Sequence, residues 1–162
     1  QQRALSTASR RNFPGLMALY EENYMRLRRL VPRFDAIDGR AVSRVSGCVD
    51  LHVTIIERSR YTTTLRLTYA FADGDDVRYE PDLRVRVQHD ARTAEAMEVH
   101  IGRGRYHFDA RRTRERCWER NRFLHKWLGY CLHRGHRFPG HATVIPASLE
   151  SARAVPHGLA NV

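Results

Sequence analysis

A long run of alternating apolar and polar residues, 49–101, constrains the fold of this chain more than any other sequence feature. Within it, the stretch 49–71 reads VDLHVTIIERSRYTTTLRLTYAF, with every second residue apolar on either side of a turn at Ser59. A period of two places successive side chains on opposite faces of a strand. The pattern therefore predicts a β-hairpin with one apolar face, and folding it about Ser59 sets Val53 opposite Leu65.

A second hairpin is predicted from the segments 83–89 and 95–101, which alternate in the same way. Folding this pair about Arg92 sets Val87 opposite Met97. An acidic and Gly-containing cluster followed by Pro81 indicates a longer turn between the two hairpins. Shorter strand patterns stand on either side of the two hairpins, so the central region predicts an antiparallel meander of five to six strands.

Helical periodicity flanks the meander at both ends. Apolar residues recur at three- and four-residue spacing over 14–31 and 113–134, with Thr113 as an N-cap and Gly135 just past the second helix. The exposed apolar face of a meander has to be covered, and two amphipathic helices can cover it. We therefore predict an α+β domain of two layers, with the N-terminal and the C-terminal helix packed on one face of the sheet.

The chain of 162 residues suits one domain. Residues 1–12 are polar and predict a flexible N-terminal segment, and 13–135 form the single α+β domain. Residues 136–162, rich in Ala, Gly, Pro and His, predict a mostly disordered tail in which 143–145 suits an edge strand.

The net charge of +10 is concentrated in the two helical regions. Residues 1–33 carry seven Arg against two Glu, and residues 111–134 carry seven Arg and one Lys against two Glu. A basic surface of this kind attracts nucleic acid. The candidate contacts on the helices are Arg26, Arg29, Arg120 and Arg122. Two simpler explanations stay open: cations suit the C-terminal ends of helices, and a lone lysine, Lys126, indicates a coding preference for Arg.

The cysteines Cys48, Cys117 and Cys131 do not predict disulfides. Cys117 and Cys131 would lie about 21 Å apart along one helix, too far to bridge. Free thiols, with no secretory signal and no apolar run long enough for a bilayer, predict a cytoplasmic protein without a membrane segment. The cluster Cys131, His133 and His136 has no fourth spaced ligand, so we predict no metal site and no cofactor.

Polar residues replace the apolar alternation at one end of the predicted sheet, where the turns at Ser59 and Arg92 meet. The same alternation points Thr62 and Thr64 to the outer face. We call the polar end the rim site; its residues are Glu57, Arg60, Tyr61, His89, Asp90 and Glu95. In the predicted register, Glu57 opposes Tyr61, His89 opposes Glu95, and Tyr61 lies beside His89. Such groups can bind a ligand, and they can equally form a satisfied structural network.

Three functions follow from these features. The first is a non-enzymatic binding or regulatory domain, in which Arg60 holds a small anionic ligand and Tyr61 and His89 orient it. The second is nucleic-acid binding through the Arg-rich helices. The third is a phosphate-ester hydrolase with His89 and Glu95 as acid and base. Because the chain has no nucleophile elbow, Walker motif or Rossmann fingerprint, enzymatic activity is the least favoured.

Four colinear segments carry a family resemblance: NYMRLRRLVPR (23–33), ERSRYTTTLRL (57–67), RVQHDARTAEA (86–96) and NRFLHKWLGYCL (121–132). Through them the chain resembles the YqiB-like family of uncharacterised proteobacterial proteins, a domain-of-unknown-function family. The resemblance implies a small cytoplasmic protein with no assigned reaction, often encoded near nucleotide-handling enzymes such as an ADP-ribose pyrophosphatase and a cyclic-AMP phosphodiesterase. It carries over no catalytic residue. Most of the rim site lies within these segments.

Overall fold

The structure, a computed structural model, describes residues 13–102, 106–108 and 113–139. The predicted flexible segment 1–12 and the predicted edge strand at 143–145 lie outside the described residues. The elements are helix α1 (Phe13–Leu30), a short 3-10 helix (Phe34–Ala36), strands β1 (Arg40–Ser43), β2 (Asp50–Arg58), β3 (Thr62–Asp73), β4 (Asp76–Gln88), β5 (Thr93–Ile101) and β6 (Tyr106–Phe108), and helix α2 (Arg114–His133).

The six strands form one antiparallel sheet in the order β1 to β6, so the predicted meander is confirmed. Helices α1 and α2 cover the apolar face of this sheet, which confirms the two-layer α+β fold. We call the covered face the inner face and the opposite one the outer face. The core between the layers is almost entirely aliphatic and aromatic. Neither described helix has the length and apolar character that a bilayer-crossing segment requires.

The first hairpin has the predicted faces but a different register. Val53 pairs with Leu67, two residues from the predicted Leu65. The prediction was wrong because the turn runs from Ser59 to Tyr61 and is centred near Arg60 rather than at Ser59. A two-residue shift keeps every side chain on its face, so Leu51, Val53 and Leu65 are still fully buried.

The turn that we predicted between the two hairpins forms within the acidic cluster, between Asp73 and Asp76, but it is shorter than predicted and does not include Pro81. Strand β4 begins at Asp76 and runs through Pro81. Pairing with β3 is interrupted between Thr68 and Ala70, so Pro81 lies at an irregularity. A proline inside a sheet needs such a place because it has no N–H to donate to the ladder.

The second hairpin departs most from prediction. Val87 pairs with Ala94 rather than Met97, and Met97 is the extra residue of a β-bulge. The shift is three residues, an odd number, which exchanges the two faces of a strand. Glu95 consequently pairs with Arg86 in a row that the prediction assigned to the outer face.

Helices α1 and α2 run parallel. Residues near the start of α1 pack with the start of α2, and the carbonyl of Leu30 accepts a hydrogen bond from Phe138 beyond the end of α2 (2.8 Å). Midway, the buried Asn23 donates to the carbonyl oxygen of Asn121 (3.2 Å). The two asparagines thus join the helices inside the core.

The packed part of the chain extends past Gly135, where the sequence placed the start of the tail. His136 and Phe138 are buried, and the ring nitrogen Nδ1 of His136 lies 3.0 Å from the hydroxyl of Ser43 on β1. Phe138 joins the main core. The fold therefore includes His136 and Phe138, which we had assigned to the tail.

Helix α2 also binds the backbone of β5 directly. The N–H of Ala96 donates to Oδ1 of Asn121 (2.8 Å), and the carbonyl of Ala96 accepts from Nε of Arg120 (3.1 Å). Among the described residues, strand β6 pairs only with Val99 to Ile101, so no described strand lies beside Ala96 on that side. The two side chains satisfy a buried length of sheet edge.

We expect Asn121→Ala to lower the free energy of unfolding by about 1–3 kcal/mol, because it leaves the buried N–H of Ala96 without its acceptor. Urea denaturation measures this loss. The neighbouring Arg122→Ala, at an exposed position, is the control and should change stability by less than about 0.5 kcal/mol. Equal stability of the two variants would contradict the assignment.

Candidate functional site

A β-bulge at Ile56 decides where the polar end of β2 points. Ile55 pairs with Leu65 and Glu57 with Thr64, so Ile56 is the extra residue. Past the bulge, Glu57 belongs to the outer face and Arg58 to the inner face. Bulges commonly re-aim side chains beside functional sites. The predicted inward position of Glu57, opposite Tyr61, is therefore wrong.

The re-aimed Glu57 borders a hollow of about 330 Å³ on the outer face, at the end of the sheet where the rim site was predicted. We call it the outer hollow, and its lining is Glu57, Ser59, Thr62, Thr64, Arg86 and Gln88. All six side chains are polar. The outward direction of Thr62 and Thr64 agrees with the prediction from the alternation.

The two charged groups of the outer hollow are not neutralised by ion pairs. Among the residues that the structure describes, none forms a salt bridge or a side-chain hydrogen bond with the guanidinium of Arg86 or the carboxylate of Glu57. A nearby arginine on the outer face, Arg66, makes a bidentate pair with Asp82 at 2.7 Å and 2.7 Å. Arg86 and Glu57 are therefore available to a ligand.

His89 lies on the inner side of the sheet, away from the outer hollow. Its Nε2 is 2.8 Å from the hydroxyl of Thr63, and its ring meets the edge of Phe34 at 5.4 Å. Burial, then the positive charges of Arg28 and Arg58, lower the pKa of His89. The ring is therefore neutral near pH 7. Its contacts with Thr63 and Phe34 join the 3-10 helix to the sheet.

Tyr61 and His89 are neighbours in the sheet and are joined by a backbone hydrogen bond. The N–H of His89 donates to the carbonyl of Tyr61 (2.8 Å), as the predicted neighbourhood requires. The phenol ring is 52% exposed and stacks with the guanidinium of Arg60 at 5.1 Å. Asp90 is also exposed. These side chains border the same end of the sheet but do not line the outer hollow.

Glu95 and His89 do not oppose one another as predicted. Glu95 pairs with Arg86 in the sheet, and its Oε1 accepts from the hydroxyl of Tyr20 on α1 (3.3 Å). Burial and the charge of Glu95 raise the pKa of Tyr20, so this hydroxyl stays protonated and donates. The bulge at Met97 and the four-residue turn separate Glu95 and His89, and the predicted acid and base are not a pair.

The four arginines that we predicted to bind nucleic acid differ in their exposure to solvent. Arg120 is fully buried against β5, so it cannot contact a phosphate, and that prediction is wrong. Arg26 is half-buried, and its Nη1 donates to the carbonyl of His125 (2.7 Å). The predicted Arg29 and Arg122 are exposed. Arg120 stands at helical spacing from the buried Cys117 and Leu124, so the periodicity carried the signal, and only the charge of Arg120 favoured an exposed position.

The Cys and His cluster near the end of α2 has separate structural roles. The thiol of Cys131 donates to the hydroxyl of Tyr69 (3.6 Å), and burial raises the pKa of that thiol to about 12. His136 is held by Ser43. Within the described ranges, no group of three or more His, Cys, Asp or Glu side chains is arranged to hold a metal ion.

The protein is thus a small α+β domain with a hollow on its outer face that is lined by polar side chains. Residues 26–137 match the family described as "Protein of unknown function (DUF1249)". The chain belongs to this family.

Curated relatives agree with the family match. The chain is 35% identical over 129 residues to the "Uncharacterized protein YqiB" of Escherichia coli strain K12, covering 76% of this chain and 91% of the relative. The proteins of the same name from the O6:H1 and O157:H7 strains match to the same extent. No solved structure matches the chain significantly.

His52, on the outer face, gives the protein a pH dependence. Its Nδ1 lies 2.7 Å from Nη2 of Arg40, and burial, then Arg40, Arg44 and Arg66, lower the pKa to about 4. The unfolded chain binds a proton near pH 6.5 that the folded chain binds only near pH 4, so stability falls as the pH drops through that window.

We expect His52→Asn, whose amide oxygen can replace Nδ1 as an acceptor, to reduce the loss of stability between pH 6.5 and pH 4 by about 2 kcal/mol. Denaturation at several pH values measures this. His133→Asn, at an exposed position, is the matched control. A pH profile that His52→Asn leaves unchanged would show that this ring does not set the dependence.

Proposed function

We propose that this protein is a non-enzymatic binding or regulatory domain that holds a small anionic ligand in the outer hollow. The observation that carries the proposal is an arginine without an ion-pair partner among the described residues, Arg86, in a hollow lined by polar groups alone. The site lies at the predicted end of the sheet but on the other face, and Arg86 takes the role that the sequence assigned to Arg60.

Arg86 suits the anionic end of such a ligand. A guanidinium donates two parallel hydrogen bonds to a carboxylate or phosphate, and these charge-assisted bonds are the strong ones. The surrounding Thr62, Thr64 and Gln88 supply hydroxyl and amide groups that can fix the orientation of the bound molecule. Few, well-placed polar groups are what confer specificity on small-molecule sites.

The carboxylate of Glu57 restricts which kinds of anion suit the outer hollow. A carboxylate in the same hollow repels a bare anion and accepts hydrogen bonds from hydroxyl or ammonium groups. The best fit is a small anion that also carries such donors, as sugar phosphates and amino acids do. Inorganic phosphate or sulfate alone would leave Glu57 without a partner.

A binding role fits this lining better than hydrolysis. The hydroxyl of Ser59 donates to the carbonyl of Thr62 (3.3 Å), and no histidine borders the hollow. A hydroxyl nucleophile needs an adjacent base to be activated. We also propose the cytoplasm as the compartment, a choice supported by the free thiols of Cys48, Cys117 and Cys131.

A thermal-shift screen with sugar phosphates, nucleotides, amino acids and dicarboxylates tests the proposal. A ligand present at about 100 times its Kd should raise Tm by roughly 5–10 °C. Arg86→Gln should weaken that ligand by about 10- to 100-fold, because it removes the charge-assisted bonds.

The matched control is Arg84→Gln, which removes the same charge two residues away on β4 and outside the hollow. It should leave the Kd unchanged. His89→Ala should also leave the Kd unchanged once its effect on stability is subtracted. If no compound in these classes shifts Tm, or if both arginine variants weaken the ligand equally, the outer hollow is not the site.

A further inference from the structure

The exposed face of α2, on the opposite side of the molecule from the outer hollow, carries a line of cationic and aromatic side chains. We call it the helix stripe; it consists of Arg122, Lys126, Tyr130 and Arg134, spaced four residues apart. All four are exposed. At 1.5 Å per residue the stripe is about 18 Å long.

The cations of the stripe are not paired with acids. Across the described ranges, no carboxylate lies within ion-pair distance of Arg122, Lys126 or Arg134. Exposed acids of α2 stand at its beginning, at Glu115 and Glu119, before the stripe starts. Ion pairs with the described residues therefore do not neutralise the three cations of the stripe.

The helix macrodipole does not explain this surface. Favourable interaction with the dipole is confined to the last turn of a helix. His133 and Arg134 satisfy that condition at the end of α2, whereas Arg122 and Lys126 lie two to three turns before the end. They contribute nothing to capping the helix.

Tyr130 interrupts the cations with an aromatic ring that is 47% exposed. Its ring meets the edge of the Tyr69 ring at 6.3 Å, and the guanidinium of Arg134 lies 5.5 Å from its centroid. Nε of Arg134 also donates to its hydroxyl (3.3 Å). The ring and the guanidinium are thereby held at the surface, and both offer planes on which a nucleic-acid base can stack.

The parallel arrangement of the helices adds a further cation. Arg137, just past α2, donates from Nη1 to the carbonyl of Arg29 at the end of α1 (2.9 Å). The end of α1 therefore lies beside Arg137, three residues past the last residue of the stripe, and the Arg29 side chain there is exposed.

We propose that the helix stripe binds single-stranded nucleic acid, with phosphates on Arg122, Lys126 and Arg134 and a base stacked on Tyr130. A cationic track with an interleaved aromatic ring is how proteins bind single strands without strong sequence preference. About 18 Å of track spans up to about five phosphates of a stacked single strand, at 3.4 Å each, and fewer of an extended one. Arg29 and Arg122 remain from the contacts predicted by sequence, while the buried Arg120 and the internally bonded Arg26 do not.

Fluorescence anisotropy with labelled ten-nucleotide DNA and RNA strands, at 50 to 300 mM salt, tests the proposal. For about four phosphate contacts, the slope of log K against log salt should be about −3. Arg122→Gln/Lys126→Gln should make that slope shallower by about 1.4 and weaken binding at 50 mM salt by at least tenfold.

The charge-matched control is Arg84→Gln/Arg92→Gln, which removes two exposed cations from the sheet side. It should retain the wild-type slope. If both double variants lose affinity equally, binding reflects net charge alone and the stripe is not a site. Absence of binding at 50 mM salt, or preference for anionic lipid vesicles over the oligonucleotides, would also overturn the proposal.

The aromatic part of the proposal has its own test. Tyr130→Phe keeps a ring for stacking and should retain the wild-type Kd within about twofold. Tyr130→Ala should weaken single strands by roughly fivefold or more. Circular dichroism shows whether Tyr130→Ala is folded, and loss of affinity in a folded variant supports stacking. Equal affinity of the alanine and phenylalanine variants, or equal binding of a ten-base-pair duplex, would contradict a single-strand site. None of these measurements involves the outer hollow.

Discussion

The contact on which the rest of this structure depends is the pair of hydrogen bonds from α2 to the backbone of Ala96. An unpaired stretch of sheet edge inside a protein is costly, since each buried N–H or C=O without a partner costs about 1–3 kcal/mol. Asn121 and Arg120 satisfy both groups, and Asn121 also accepts from Asn23 through its own carbonyl. One residue of α2 thus connects the last complete strand, the C-terminal helix and the N-terminal helix. The orientation of α2, and with it which cations face solvent, follows from this connection.

The sequence predicted well what depends on period and composition, and poorly what depends on exact register. Alternation identified the inner face of β2 and β3, and the N-cap at Thr113 and the glycine at Gly135 correctly bounded α2. A bulge adds one residue to a strand without changing its composition, so the ones at Ile56 and Met97 could not be read from the pattern. Each exchanges the faces of the residues beyond it. The sequence therefore predicted the site at the correct end of the sheet but placed Glu57 and Glu95 on the wrong face. Arg120 was misplaced because charge alone predicts exposure, and its burial depends on a tertiary contact.

The two proposed surfaces lie on opposite sides of a well-packed core, and they differ in charge. The outer hollow combines one cation and one anion with neutral polar groups, which favours a small molecule of defined structure. The helix stripe carries cations alone around one ring, which favours a polymer of repeating charge. A buried layer of aliphatic and aromatic side chains separates them. Binding at one surface therefore need not disturb the other, and a domain of this size can carry both.

The bulge in β2 determines which side chains at the end of this strand face solvent. Before it, side chains obey the alternation of the hairpin; beyond it, Glu57 faces solvent while Nη2 of Arg58 holds the carbonyls of Phe34 and Ile37 at 2.7 Å and 2.9 Å. If Ile56 were instead paired as an ordinary strand residue, the carboxylate would turn toward the interior and the guanidinium would leave the 3-10 helix, although no side chain would have been replaced. One backbone irregularity therefore decides which of two neighbouring charges, that of Glu57 or that of Arg58, faces solvent.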